Sequence, residues 1–212
     1  MKRIESYITE KLKINKDSRL LCPKTKEELT KLLNKLVRER GENANLNDID
    51  TSEITDMSYL FSKSLAKKIH NIDISDWDVS NVTDMSLMFY GCKNFNSDLS
   101  KWDVSKVEKM REMFSKCFEF NSDISNWDVS NCQAMNHMFS DCHKFNSDLS
   151  KWDVSNCRTF NRMFYGCWEF NQNLDKWKIK DYINGRQVYV GPQMFNACKS
   201  LKHKPVWYDK YK

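Results

Sequence analysis

The chain lacks an apolar run long enough to cross a membrane, and it lacks the short signatures from which a catalytic centre is usually read. A membrane span needs roughly 18 consecutive apolar residues and a secretory leader an apolar core of about 7 to 15; the start, Met1-Lys2-Arg3-Ile4-Glu5-Ser6, is instead followed by charge every few residues. Taken as a native start, this predicts a cytoplasmic protein with no membrane attachment. A Gly-rich phosphate loop, a G-x-S-x-G elbow and an H-E-x-x-H pair are all missing from the sequence, so the expectation is a non-enzymatic protein that uses no cofactor. Zinc sites normally show paired ligands; there is no C-x-x-C pair, only His70, His137, His143 and His203 stand beside the cysteines, and no metal site is expected.

Clustered basic charge is also absent from the body of the chain. Residues 1–47 carry twelve Lys/Arg against seven Asp/Glu, residues 48–198 seventeen against twenty-one, and residues 199–212 five against one. Basic ends therefore flank a mildly acidic centre, which speaks against nucleic acid as the partner. The eight cysteines read as reduced core thiols. Cys132 and Cys157 stand where earlier repeats have Val82 and Val107, and Cys92, Cys117, Cys142 and Cys167 close an apolar helix-like segment.

What the chain does have is repetition. Trp77, Trp102, Trp127, Trp152 and Trp177 are spaced 25 residues apart, with Met88, Met113, Met138 and Met163, and Phe89, Phe114, Phe139 and Phe164, in step. A period of this length marks stacked units, none of which buries a sufficient apolar face alone. Trp102-Asp103-Val104-Ser105 alternates apolar and polar, the pattern of a strand with one buried face. Met110, Met113, Phe114 and Cys117 follow at i, i+3, i+4 and i+7, the inward face of a short helix. The return, Phe120-Asn121-Ser122-Asp123-Ile124, sets apolar anchors between turn-forming residues, and the column Asn96, Asn121, Asn146 and Asn171 is placed to bond along the stack.

The ends differ from the array. Ile4, Tyr7, Ile8 and Leu12 lie at helical spacing, and a second helix follows Pro23, with Thr25 and Glu28 as a capping box, Leu29, Leu32, Leu33, Leu36 and Val37 as its stripe, and Gly41 as its stop. Three extra residues lie between Leu65 and Asn71, and six between Phe164 and Phe195. The second insertion contains Asn184-Gly185 between apolar runs, the signal of a tight hairpin.

These readings combine into an α/β solenoid of one short strand and one short helix per 25-residue turn. It has a helical N-terminal cap over residues 1–47, repeats over 48–198 with a hairpin insertion at about 181–192, and a C-terminal edge and tail over 199–212. Such a surface suits a protein partner. The expected binding residues are the outward column Asp78, Asp103, Asp128 and Asp153, its companion Ser80, Ser105, Ser130 and Ser155, and Arg186 and Tyr189 of the hairpin, which are of types enriched at binding hot spots. Stacked like charges repel, so the acid column needs an offset: a basic partner, a cation, the neighbouring Lys101, Lys151 and Lys176, or backbone N–H groups. A second acid column, Asp98, Asp123 and Asp148, suits local turn hydrogen bonds. Arg111, Glu112, His137 and Arg162, which vary from turn to turn, offer a further contact surface. The alternatives are a cation-stabilised structural module and, if the chain is exported by an unrecognised route, an adhesin-like surface protein.

Across Phe95-Asn96-Ser97-Asp98-Leu99-Ser100-Lys101-Trp102-Asp103-Val104-Ser105, joined to Val82-Thr83-Asp84-Met85-Ser86-Leu87-Met88-Phe89, the chain resembles the BspA-like leucine-rich-repeat family, over roughly residues 48–178. The resemblance implies a leucine-rich-repeat-type solenoid without catalysis and, for secreted members, adhesion to host matrix or to other cells. The N-terminal segment also looks like the leader of small members in bacterial and phage genomes that begin without a signal.

Overall fold

A computed structural model describes residues 20–62 and 65–211; the first expected helix, at Ile4 to Leu12, lies outside them. Helix α1 spans Lys26–Arg40. The Thr25 Oγ1 accepts the Glu28 N–H at 3.2 Å, and the Glu28 carboxylate reaches back to the Lys24 N–H at 2.9 Å, one residue ahead of the usual capping-box target. Gly41, at φ 86°, closes the other end by donating to the Val37 carbonyl. The stripe from Leu29 to Val37 is buried in one core with Leu46, Ile49, Ile54 and Met57. Around it, Arg40 forks onto Asp48 with both bonds at 2.7 Å, and Lys26 reaches Asp56 at 3.0 Å. Exposed pairs of this kind contribute little singly, so the apolar stripe is what fastens the helix.

From there the chain stacks turn upon turn. Single parallel bridges link Asp56 to Asp84, Asp84 to Lys109, Lys109 to Ala134, Ala134 to Thr159 and Thr159 to Tyr189. The interior is built of like on like. Phe89, Phe114, Phe139, Phe164 and Phe195 stack with centroids 5.5, 5.8, 5.7 and 5.5 Å apart. Trp102, Trp127 and Trp152 stack at 6.5 Å. Each of these tryptophans is buried, and its indole N–H donates to a carbonyl of the preceding turn, as Trp127 does to Leu99 at 3.0 Å. Trp207 adds a further rung, lying 6.1 Å over Trp177 and donating to the Leu174 carbonyl at 2.7 Å.

The expected strand-plus-helix unit is not what forms. Among the described residues the helical elements are α1 and a six-residue 3-10 segment, Val206–Tyr211, and the paired strands are β1 (Tyr182–Ile183) and β2 (Arg186–Gln187). Trp102 to Ser105 does alternate buried and exposed. The carbonyls flanking and ending that segment are nevertheless met by side chains of the next turn, Leu99 by the Trp127 indole and Ser105 by the Asn131 amide at 2.7 Å, and no strand ladder develops.

Met110 to Cys117 is not a helix but three overlapping tight turns. The N–H groups of Met113, Ser115 and Cys117 bond three residues back, to Met110, Glu112 and Phe114. Those of Met110, Glu112, Phe114 and Lys116 cross instead to Ala134, Asn136, Met138 and Ser140 of the next turn. Glu112 and Lys116 take left-handed φ values of 54° and 63°, which an α-helix does not permit. Spacing explains the outcome. Helices pack 8 to 10 Å apart, whereas bridged segments lie about 4.8 Å apart, so a helix in every turn would have to splay the stack. Alternating the N–H groups keeps both edges of a turn in one register. These tight turns also place Met110, Met113, Phe114 and Cys117 inward, which is why the spacing imitates a helix.

Candidate functional site

The acid and serine columns share one local device. Oδ1 of Asp78, Asp103, Asp128 and Asp153 accepts the backbone N–H of Ser80, Ser105, Ser130 and Ser155 respectively, each at 3.0 Å. The second column repeats it, with Asp98, Asp123 and Asp148 accepting from Ser100, Ser125 and Ser150 at 2.9, 3.0 and 2.9 Å. Backbone N–H groups thus supply the offset that the stacked carboxylates require. Lys101 does not fill that role for Asp103, since it bonds Asp76 at 3.2 Å.

The electrostatics follow from these bonds. The Ser105 hydroxyl and N–H hold the Asp103 carboxyl below its ordinary range, with Lys106 adding a smaller pull. For Asp153 the Ser155 N–H leads, followed by its hydroxyl, with Lys180 and Lys178 adding attraction. The four carboxylates are exposed at the surface and their serines half-buried, so the columns form a fixed row of negative charge, with rungs about 4.8 Å apart.

The hairpin residues separate. Asn184 and Gly185 take φ values of 50° and 72°, the left-handed pair that a tight two-residue connection needs, and Ile183 pairs with Arg186. Arg186 is exposed on β2. Tyr189 is not part of the projection: its backbone bridges Thr159 as the next rung, leaving its ring 55% exposed. Glu112, His137 and Arg162, expected on helix faces, form a left-handed backbone column at φ 54°, 57° and 53°.

The Asn column ties the returns together: Asn121, Asn146 and Asn171 donate their N–H to Asn96, Asn121 and Asn146 Oδ1 at 2.7, 2.8 and 2.9 Å. None of the eight cysteines is in a disulfide. Cys117, Cys142, Cys167 and Cys198 donate to the Phe89, Phe114, Phe139 and Phe164 carbonyls at 2.9 to 3.0 Å. These are not helix-end thiols: each caps a tight turn of one rung and bonds to the rung before it. Burial raises the Cys117, Cys142 and Cys167 thiols well above their ordinary range and moves Cys132 up to about 12, so the nucleophilic thiolate is suppressed. Among the described residues no three His, Cys, Asp or Glu side chains gather as a metal site.

Two features escaped the sequence reading. One is a ladder of flat groups, the half-buried Phe118 and His143 and the exposed Trp168, stacked at 4.6 and 3.6 Å, with Lys199 4.0 Å above the Trp168 ring. Burial between these rings, as the largest cause, lowers the His143 pKa. The second is the outward column Thr83, Glu108, Gln133 and Arg158, whose change of residue at every turn was the available signal; Gln133 and Arg158 line a pocket beside the hairpin.

A protein of stacked 25-residue turns with ordered outer columns is thus the class that the structure defines. The chain matches the model of the family described as "Mycoplasma protein of unknown function, DUF285" over residues 30–133 and, overlapping, over 98–205. It belongs to that family. No curated protein matches it. Among the described residues, no helix is long and apolar enough to cross a membrane.

Proposed function

We propose that this chain is a non-enzymatic binding or scaffold module that holds a protein partner on its repeat surface, with the row Asp78, Asp103, Asp128 and Asp153 and the adjoining serines facing a Lys/Arg-rich segment of that partner. The observation that supports this is the row itself. Four carboxylates stand in register on the surface, each with Oδ1 fixed by the N–H two residues on. A basic segment meeting them would gain several ion pairs without ordering the acidic side chains anew, and complementary charge speeds encounter as well as fixing register. Arg186 and Tyr189 offer flanking contacts. Kinship to the BspA-like repeat proteins, read from the Phe95–Ser105 motif, accords with a binding role.

The test is affinity capture from the native cell with the wild-type chain and with Asp103→Asn/Asp128→Asn. Asparagine keeps the acceptor for the serine N–H and removes only the charge. A partner released by the double variant, and by added salt, carries the proposal; a partner held equally by both variants moves the contact off the acid row and overturns it.

A further inference from the structure

Beside the β1–β2 hairpin, where the backbone leaves its 25-residue rule, the surface holds an open pocket of about 340 Å³. Two successive turns supply one wall, through Asn131, Asn156 and Arg158, and the approach to the hairpin supplies the other, through Lys180, Tyr182 and Asn184. The amide nitrogens of Asn131 and Asn156 are tied to the Ser105 and Ser130 carbonyls at 2.7 and 2.8 Å, so that wall is held in place by the stack.

The charge is one-sided. Arg158 and Lys180 both line the pocket and no carboxylate does. The nearby acids have partners: Asp181 accepts the Lys210 ammonium at 2.6 Å and the Tyr211 hydroxyl at 3.0 Å, and Asp153, whose anion Lys178 and Lys180 help to stabilise, accepts the Ser155 N–H. Arg158 Nε is buried and finds no hydrogen-bond partner within the protein, and among the described residues no other buried side-chain polar atom is in that position. Buried polar groups are almost always paired, and a guanidinium can only donate. Among the described residues no carboxylate pairs with the Arg158 guanidinium, and the pocket that this residue borders is lined by none.

We propose that the pocket binds the oxyanion of a small molecule, a phosphate or a carboxylate, with the Arg158 guanidinium as principal donor and Lys180 as the second positive charge. A guanidinium matches either oxyanion through paired N–H bonds, whereas an ammonium adds a point charge. Tyr182 and Asn184 border the same space and would contact the remainder of the ligand. This site is separate from the acid row and does not depend on it.

Isothermal titration calorimetry of the full chain with inorganic phosphate and with citrate, at constant ionic strength, tests it. Saturable binding of one anion per chain is expected, weakened by about 10- to 100-fold in Lys180→Gln and in Arg158→Lys, the range set by loss of a charge-assisted bond. Phosphate preferred over citrate assigns a phosphate-bearing ligand, and the reverse a carboxylate. Lys180 is exposed, so its variant reads binding even where a change at Arg158 disturbs folding. Binding of neither anion, or binding indifferent to both substitutions, overturns the proposal.

Discussion

Between Trp102 and Trp177 the chain repeats itself every 25 residues, whereas from Trp177 to Trp207 it takes 30. The middle rungs keep the Phe ladder, the crossed N–H bonds and the Asn column in one register. The last rung lets a hairpin out and then resumes, with Tyr189 bridging Thr159, Phe195 stacked on Phe164 and Trp207 over Trp177. Inner columns therefore set what a turn must do, and the excursion between them is free to carry residues that stacking does not use.

The largest contrast should come from the rings. Phe114 lies fully buried between Phe89 and Phe139 and only 3.9 Å from Phe120. Phe114→Ala is expected to cost about 3 to 5 kcal/mol in urea unfolding, the usual range for emptying a packed aromatic site. Trp207→Ala, at a half-buried end rung, should cost less. Equal losses would mean that the end is as tightly bound as the middle.

Glycines sharpen the same contrast. Gly91 and Gly166 share a left-handed column, with φ 76° and 72°, but a Cβ at Gly166 would lie 2.5 Å from Asp141 Oδ1 while one at Gly91 meets nothing within 4 Å. Gly91→Ala should lose about 1 to 2 kcal/mol from backbone strain alone, and Gly166→Ala more than that. Ala197 occupies this column in the last rung, exposed and at φ 60°. Ala197→Gly should therefore gain up to about 1 kcal/mol, measured as a rise in the urea midpoint.

Acid should act on the turns that carry the carboxylate columns. Serine N–H groups and hydroxyls hold Asp98, Asp103, Asp123, Asp148 and Asp153 below their ordinary range. The unfolded carboxyls, at about 3.9, take up protons first as pH falls. Their contribution is thus complete above the unfolded value and disappears as pH falls through the folded ones. Melting temperature should be flat above about pH 5 and decline below about pH 4, less steeply in Asp103→Asn/Asp153→Asn. The smallest effect is expected at the hairpin: Asn184→Ala/Gly185→Ala places alanine at two positive-φ positions, but the two-residue strands can part locally instead of holding the strain, so global stability should fall by about 1 kcal/mol or less with the stack intact.

The interior columns were legible because burial forces like residues onto like at each rung: Trp102, Met113, Phe114 and Cys117 all lie inside as their period requires. The helix was not legible. Successive tight turns satisfy the same i, i+3, i+4, i+7 pattern, and what separates the two is whether an N–H reaches four residues back or 24 residues on. Gly91 and Gly166 were the clue in the chain, since neither suits a helix interior. Sequence alone points the Asp98 column to a turn and the Asp103 column to a contact, yet both use the same Asp-x-Ser bond. Trp207 went unread because the five-residue excess displaces it from the column. The pocket depends on a guanidinium orphaned by its surroundings, which no spacing records.

The most direct test is the scalar coupling across hydrogen bonds in the middle turns, measured by nuclear magnetic resonance on labelled protein. Stacked turns predict that the Glu112 amide couples to the Asn136 carbonyl and the Phe114 amide to that of Met138. Coupling of those amides to Glu108 and Met110, four residues back, would mean that a helix fills each turn and would contradict the stack.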